Sequence, residues 1–456
     1  MSMCMASQIS AETQTQNQTW TARAVEFLIK VPSSLVFFLL DLLDIVLCVF
    51  YRVVDELLEG EAIPCYCEAK NEEKLHNLDG NDEEGEVSET LFGRKNVFWE
   101  MGFLRMSKKL DLEESKKARV AGALVRNNRW SDCGCQSCVS WVNSGDQRLH
   151  LVVKGPSQDI VEVNNHKTTQ NVVFIHGFLS SSLFWTQTVF ENLSEHAKQN
   201  YRLFAVDLLG FGESPKPRDC LYTLRDHLDM IDKSAIRPYD LDSFHLVAHS
   251  MGCIIALALA ARYPESVKSI TLIAPPYFPS EDGASLKVLA KVAEKRLWPP
   301  ILFGASLMSW YEHLGRCVCF LVCRNHRIWE WFFKLLSQKG DLPFNIKDLT
   351  RHTHHSAWHT MHNVICGGAK LAGKYLEVTK KAGVRISVVQ GDQDVVVPME
   401  CSRNIQLKAP DAKISIINGA DHGTVVLGRE KDFTRYLEGI WASTAHKPTR
   451  VRRKGD

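Results

Sequence analysis

The chain has 456 residues, 45% of them hydrophobic, and a formal net charge of +1. That is apolar material for one large domain with an appendage, or for two modest ones. A near-neutral chain carries no global field to draw nucleic acid, and 14 cysteines in this length are too few for a disulfide-dense scaffold.

Residues 1–60 read as a polar leader followed by an apolar segment. From Val31 to Phe50 the run VPSSLVFFLLDLLDIVLCVF is nearly long enough to span a bilayer, and Arg23 and Lys30 supply a positive flank before it. Asp41 and Asp44 lie inside it, each costing roughly 3 kcal/mol at the centre of a membrane helix, and no small-residue cleavage site follows. Three readings stay open: a signal or signal-anchor segment, a helix on a membrane surface through residues 31–50, or an amphipathic helix packed on the protein. Targeting to the membrane or the secretory pathway is the expectation. Asn17 and Asn192 head glycosylation sequons, a pattern that also arises by chance. Residues 61–138 form a cysteine-containing linker region, acidic over 68–90.

From Val139 the pattern changes. CVSWV and LHLVVKG, joined by NSGDQ, predict a β-hairpin. Apolar strands then alternate with helical stretches. NVVFIHG, RLFAVDLLG, FHLVAHS, SITLIAPP, RISVVQGDQD and AKISIIN are strands; LFWTQTVFENLSEHA, TLRDHLDMIDKSAI, MGCIIALALAARYP, MECSRNIQLKAP and VLGREKDFTRYLEGIW are helices. Such alternation, with continuous apolar strands, predicts βαβ units and a mainly parallel sheet covered on both faces. The interval 279–383 is too long for a loop and is rich in Trp, Phe and His at helical spacing, so it is expected to be a helical cap. The core then comprises 139–278 and 384–445, and 446–456 is a basic, solvated tail.

The segment VAHSMG places Ser250 between a strand and a helix. A nucleophile on that turn is exposed at the sheet's C-terminal edge, and the following helix N-terminus favours negative charge. Small residues are needed two before and two after it; Ala248 and Gly252 occupy those positions, with alanine a small departure from G-x-S-x-G. Taken alone, Ser250 could instead be a helix N-cap. A serine hydroxyl needs a base, and the base an acid to orient it. Asp394 in GDQDVVVP and His422 in GADHG follow successive strands in the order Ser, Asp, His expected of this topology. Asp392 is the weaker alternative acid. The backbone N–H groups of Met251 and Phe178 are the candidate oxyanion donors, and His176, Gly177 and His249 are expected to shape the site. DLLGFGES (Asp207–Ser214) turns tightly at Gly210 and Gly212 but lacks a phosphate-loop signature.

Together HGF, DLLGFGES, AHSMG, GDQD-VVVP and DHG resemble the motifs of the α/β-hydrolase superfamily, over about Val139 to Trp441. That resemblance implies a mainly parallel eight-stranded sheet with helices on both faces and an inserted cap. The long N-terminal extension, CGCQSC and RHTHHSAWHTMHNVICGG resemble the plant BODYGUARD proteins. This likeness implies an extracellular, cell-wall or plasma-membrane-associated hydrolase, lysophospholipase-like and needed for cuticle formation through cutin and suberin loading. It also implies a lipid anchor near the N-terminus, for which Cys48 is the matching position, although Leu47 stands where a lipobox has a small residue.

The expected activity is a serine esterase or transacylase acting on lipid or acyl esters, without a cofactor or a metal. The alternative is a hydrolase-fold lipid receptor or scaffold with little or no turnover. An epoxide hydrolase would need an aspartate where Ser250 stands. His352, His355, His359 and His362 share one helical face, and hydrogen bonding within the cap is preferred over a metal site. CGCQSC could ligate zinc but lacks an assigned fourth ligand; a disulfide, perhaps to CYC (Cys65, Cys67), or free buried thiols are the other readings. CVCFLVC reads as packing or an acylation site. The aromatic cap segments could line an acyl tunnel or form the cap's own core.

Overall fold

The computed structural model describes residues 35–60, 65, 87–91, 129–142, 148–156, 169–278, 284–294, 304, 307–337 and 341–444. The polar leader with Asn17, most of the acidic linker, Cys67 and the basic tail lie outside them. The chain divides into two compact units, residues 1–64 with 290–315, and residues 65–289 with 316–456.

In the first unit, residues 35–59 form helix α1. Phe37, Asp44, Cys48, Tyr51 and Asp55 are buried along one face, whereas Leu39, Leu43, Val46, Phe50 and Leu57 are exposed on the rest. The aspartates inside the apolar run have partners within the same unit. Asp41 Oδ1 accepts the Tyr311 hydroxyl at 2.7 Å, and Asp44 Oδ1 accepts the Leu314 N–H at 2.9 Å. Phe37 packs with Tyr311 and Leu314 beside them. The helix therefore turns its acidic face inward and its apolar face outward. Among the described residues, no helix is long and apolar enough to cross a membrane.

The second unit is built on a seven-stranded sheet with strands β1 Leu151–Lys154, β2 Gln170–Ile175, β3 Tyr201–Val206, β4 Phe244–His249, β5 Val267–Ile273, β6 Arg385–Gly391 and β7 Lys413–Ile417. Their order is β1-β3-β2-β4-β5-β6-β7. β1 runs antiparallel to β3, and every other pairing is parallel. The chain order reverses between β2 and β4, which opens a crevice at their C-terminal ends. All six residues of β4 are buried, as a strand covered on both faces requires.

The expected eighth strand, CVSWV, is not formed. Gln136–Val142 is helix α2, so there is no hairpin with β1. Cys138 and Val139 are adjacent and both half-buried, while Gln136, Ser137 and Ser140 are exposed. That is one side of a helix rather than period-two alternation. Ser140 Oγ donates back to the Ser137 carbonyl at 2.7 Å, and Val139 N–H to Cys135 O at 2.9 Å. The helical stretch after β2 is also broken, into α3 Leu183–Thr188, a 3₁₀ turn and α4 Glu195–Asn200. Ser194 is extended and its hydroxyl accepts the Ala197 N–H, so it starts a new helix instead of continuing the old one. Asn192 of the second sequon sits in that 3₁₀ turn and donates to Thr188 O.

Further α-helices include α5 Leu224–Ile231, α6 Gly252–Arg262, α7 Ala284–Glu294, α8 Glu312–Leu321, α9 His326–Ser337, α10 Phe344–Asp348, α11 His354–Thr360, α12 Gly368–Lys381, α13 Met399–Lys408 and α14 Glu430–Thr444. Helix α6 is apolar nearly all round and buried from Gly252 to Ala260. It packs against α12, where a Cβ on Gly368 would lie 2.7 Å from Ile254 Cγ2. Period two along β2 sorts the core into two layers. Val173 and Ile175 join Ile255, Leu259 and Tyr375 on one face, while Val172 and Phe174 join Trp185, Tyr201 and Trp441 on the other.

Trp441 is fully buried, 6.1 Å from the Phe174 ring and 5.2 Å from the Tyr201 ring. Trp441→Ala would leave a large cavity and should cost about 3–5 kcal/mol. Urea denaturation should show a clearly lower midpoint; an unchanged midpoint would mean that this layer does not hold the sheet.

Candidate active site

Ser250 takes the turn out of β4 with φ of 54°, a left-handed conformation that ordinary residues rarely adopt. Its N–H is held by Ile273 O at 2.8 Å on the neighbouring strand, and its carbonyl accepts the Cys253 N–H at 2.9 Å to begin α6. The strain is maintained by what surrounds it. A Cβ on Gly252 would lie 2.5 Å from His176 O and 2.8 Å from Ile175 O, so β2 and α6 can approach only because this residue is glycine. A Cβ on Gly177 would lie 3.1 Å from Ser250 Cβ, which places the β2 loop directly against the serine. Ala248 is fully buried opposite Ile175 and Leu272, and there alanine satisfies the need for a small residue.

The structure brings the three separated candidates together. Ser250 Oγ and His422 Nε2 are 2.9 Å apart, and His422 Nδ1 and Asp394 Oδ2 are 2.8 Å apart. Asp394 sits after β6 and His422 after β7, so both follow strands at the same edge as Ser250. Asp394 Oδ1 accepts the N–H groups of Val396 and Val397 at 2.9 and 2.8 Å. Burial pushes its carboxyl up, but the hydrogen bond and charge of His422 and the two N–H groups outweigh this, so it stays below the usual carboxylate range. Asp392, the weaker candidate acid, instead accepts the Gly419 N–H at 2.7 Å on an exposed loop. Asp421 caps its own turn through the N–H groups of Gly423 and Thr424.

Two further histidines frame the site without competing for its proton. His176 Nδ1 donates to Gly177 O at 2.7 Å and its Nε2 accepts the Leu208 N–H at 2.9 Å. Both nitrogens are committed, and burial lowers its proton affinity, so it shapes the loop and is not a second base. His249 is pushed down to about 3 by burial and stacks on Phe184 at 5.0 Å. Its Nε2–H donates to the His422 carbonyl at 3.0 Å and so holds the loop that carries His422. Both neighbours are neutral at pH 7, which leaves Asp394 as the charge nearest the His422 ring. Met251 directly precedes α6, and Phe178 follows Gly177 in the loop after β2.

Several positioning residues carried no separate signal in the sequence. Gln390 Nε2 donates to Asp394 Oδ2 at 3.1 Å, and Gln390 Oε1 accepts the Ser402 hydroxyl at 2.9 Å. Asp207, the first residue of the DLLGFGES motif, ties three segments together: its carboxylate accepts Ser182 N–H, Glu213 N–H at 2.8 Å and His150 Nδ1–H at 3.0 Å. Gly212, with φ of 53°, leaves room for that carboxylate, since a Cβ there would lie 2.4 Å from Asp207 Oδ2. Asp348 on α10 accepts the Ser181 hydroxyl at 2.8 Å, linking the inserted helices to the loop after β2, and burial raises its carboxyl to about 7.

The four histidines of the inserted region differ in their surroundings. His355 Nε2 bonds Cys220 O at 2.9 Å, His362 Nδ1 faces Thr90 Oγ1 at 2.9 Å, and His359 is pushed down to about 3 by burial. His352 alone faces sulfur, with Cys319 and Cys323 at 3.7 and 3.5 Å. A carbonyl takes up His355 and a hydroxyl His362, whereas His352 lies beside two thiols.

Residues 170–296 match the family model described as alpha/beta hydrolase fold. Curated relatives extend the likeness to nearly the whole chain. It is 54% identical to the probable lysophospholipase BODYGUARD 4 of Arabidopsis thaliana, over 90% of this chain and 96% of that protein. It is 49% identical to BODYGUARD 5 of the same plant over 91% and 96%, and 41% identical to BODYGUARD 1 over 89% and 94%.

Burial pulls the Asp207 carboxyl up, yet the bonds from His150, Glu213 and Ser182, with the nearby His176, hold it down to about 2. Its folded value lies below its unfolded one. It therefore contributes on the order of 2 kcal/mol, fully present above about pH 4 and lost as the pH falls through 2. Asp207→Asn should cost more stability at pH 7 than at pH 2.5. Equal urea midpoint shifts at the two pH values would contradict this account.

Proposed function

The chain belongs to the BODYGUARD family of α/β hydrolases, and on that premise we propose that it is a serine hydrolase of lipid carboxylic esters, lysophospholipase-like in its substrate class. The observation that carries this reading is the continuous hydrogen-bond chain Ser250–His422–Asp394 at 2.9 and 2.8 Å. In the proposed reaction, Ser250 Oγ attacks the ester carbonyl carbon while His422 Nε2 takes its proton. Asp394 holds the imidazole by Nδ1–H and stabilises the imidazolium. The carbonyl oxygen becomes an oxyanion facing the N–H groups of Met251 and Phe178. As the tetrahedral intermediate collapses, the C–O bond breaks and His422 returns the proton to the leaving alcohol. The acyl group remains on Ser250 until water, activated by His422, releases the acid. A hydroxyl acceptor in place of water would give a new ester, so transacylation follows from the same groups.

The protein's proposed place is outside the cell, reached through the secretory pathway and associated with a lipid surface, in cuticle formation through cutin and suberin loading. Helix α1 supports the surface association. It presents Leu39, Leu43, Val46 and Phe50 outward, while Asp41 and Asp44 are satisfied from within their unit. An independent apolar surface on α9 comprises Ile328, Trp331, Leu335 and Leu336, all more than 60% exposed. Such exposure fits neither of the two expected uses, an acyl tunnel or the cap's own core, and supports contact with a lipid surface instead. A lipid receptor without turnover is the less favoured reading, because binding alone makes no use of an oriented base.

Labelling with a fluorophosphonate probe tests the nucleophile. Wild type should label, Ser250→Ala should not, and equal labelling of the two would exclude Ser250. Asp394→Asn should keep the fold but lower kcat on lysophospholipid by roughly 10³–10⁴-fold, through the wrong imidazole tautomer. Pelleting with anionic phospholipid vesicles tests the helix: replacing Leu39, Leu43 and Val46 together with glutamate should reduce the bound fraction severalfold.

A further inference from the structure

The segment CGCQSC acquires a fourth donor only in three dimensions. Cys133, Cys135 and Cys138 turn toward His326, the first residue of α9, and the four ligand atoms all lie within 4.8 Å of one another. Cys135 Sγ and Cys138 Sγ are 3.5 and 3.6 Å from His326 Nε2. A tetrahedral zinc ion with Zn–S of about 2.3 Å and Zn–N of about 2.0–2.1 Å has S···N edges of about 3.5 Å. The two separations match that edge.

Hydrogen bonding does not account for the cluster. An imidazole Nε2 has one lone pair, and two sulfurs face it. Pairing two of the three sulfurs as a disulfide would leave the third and the histidine over. The surroundings are those of a ligand histidine. His326 Nδ1 lies 3.1 Å from Glu330 Oε1, one helical turn on, which places its proton on Nδ1 and directs the Nε2 lone pair at the sulfurs. The Cys135 N–H points at Cys133 Sγ at 3.4 Å, a donor for a thiolate.

We propose that Cys133, Cys135, Cys138 and His326 bind one structural zinc ion that ties the segment before the sheet to the inserted helices. The closed Cys₃His set leaves no open position for a substrate, which makes the role structural. Around it the same two segments already meet. Arg316 donates to Ser131 Oγ at 3.2 Å, its guanidinium lies 5.4 Å from the Trp130 ring centre, and Trp130 meets Phe320 edge-on at 5.5 Å. This revises the expectation of a chain without a metal, and it stands whether or not the proposed hydrolysis is correct.

The test is elemental analysis of the full chain, purified without chelator. Cys135→Ser and His326→Ala should each lose one equivalent of zinc relative to wild type, whatever Cys319, Cys323 and His352 hold. His326→Cys, which restores a four-thiolate set, should retain it. Glu330→Gln should keep the ion but bind it about 10–100-fold more weakly in competition with a chromophoric chelator. Should the ligand variants fail to fold, cobalt substitution of wild type decides: tetrahedral d–d bands with thiolate charge transfer are expected. Wild type that takes up no zinc or cobalt, zinc content unchanged in Cys135→Ser, or a disulfide mapped to these cysteines would overturn the proposal.

Discussion

The strained turn at Ser250 is the constraint on which the rest of the second unit depends. A non-glycine residue at φ of 54° persists only if its surroundings over-determine it. Here β5 holds its N–H, α6 begins at its carbonyl, and the β2 loop presses against its Cβ. That close approach is what sets Gly177 and Gly252. It also brings β2 and β4 together at the point where strand order reverses, so the loops carrying Phe178, Ser250, Asp394 and His422 converge on one edge.

The site's electrostatics follow from selective burial. His176 and His249 are neutral because burial penalises their charged forms; His176 fixes backbone through both ring nitrogens and His249 through Nε2. Asp394 and Asp207 are buried as well, yet several donors around each keep them ionised. A carboxylate with satisfied oxygens can serve as a fixed negative charge; a histidine with one donor and one acceptor bond can serve as neutral scaffolding. The same environment thus sorts two titratable residue types into opposite charge states. Among the described residues His422 is the histidine whose nitrogen is directed at the serine.

Outside the hydrolase core, polar groups decide how apolar segments are used. Helix α1 looks membrane-spanning by length but pairs Asp41 with the Tyr311 hydroxyl and buries Asp44 against the Leu314 amide. An apolar run that contains two acids can satisfy them inward and leave its apolar side outward. In the inserted region His355, His362 and His352 do similar work, facing a backbone carbonyl, a hydroxyl and a sulfur respectively.

Sequence by itself determined the strands β1 to β7, the order Ser, Asp, His along the chain, and the small residues around Ser250. These are legible because continuous apolar runs, short turns and steric limits are local properties. CVSWV misled because a five-residue apolar–polar pattern fits a strand as well as one side of a helix; the bonds from Val139 to Cys135 and from Ser140 to Ser137 decided the matter. Gln390 and the link from Asp348 to Ser181 were invisible because their partners lie in other elements. The sequence ranked Asp394 above Asp392, and tertiary structure supplies the physical reason, aiming one loop carboxylate at His422 and the other at Gly419. Tertiary structure alone joined His326 to cysteines nearly two hundred residues earlier. A donor set is defined by distances of a few ångströms, and residues so far apart in a chain acquire such distances only when the helices that carry them pack.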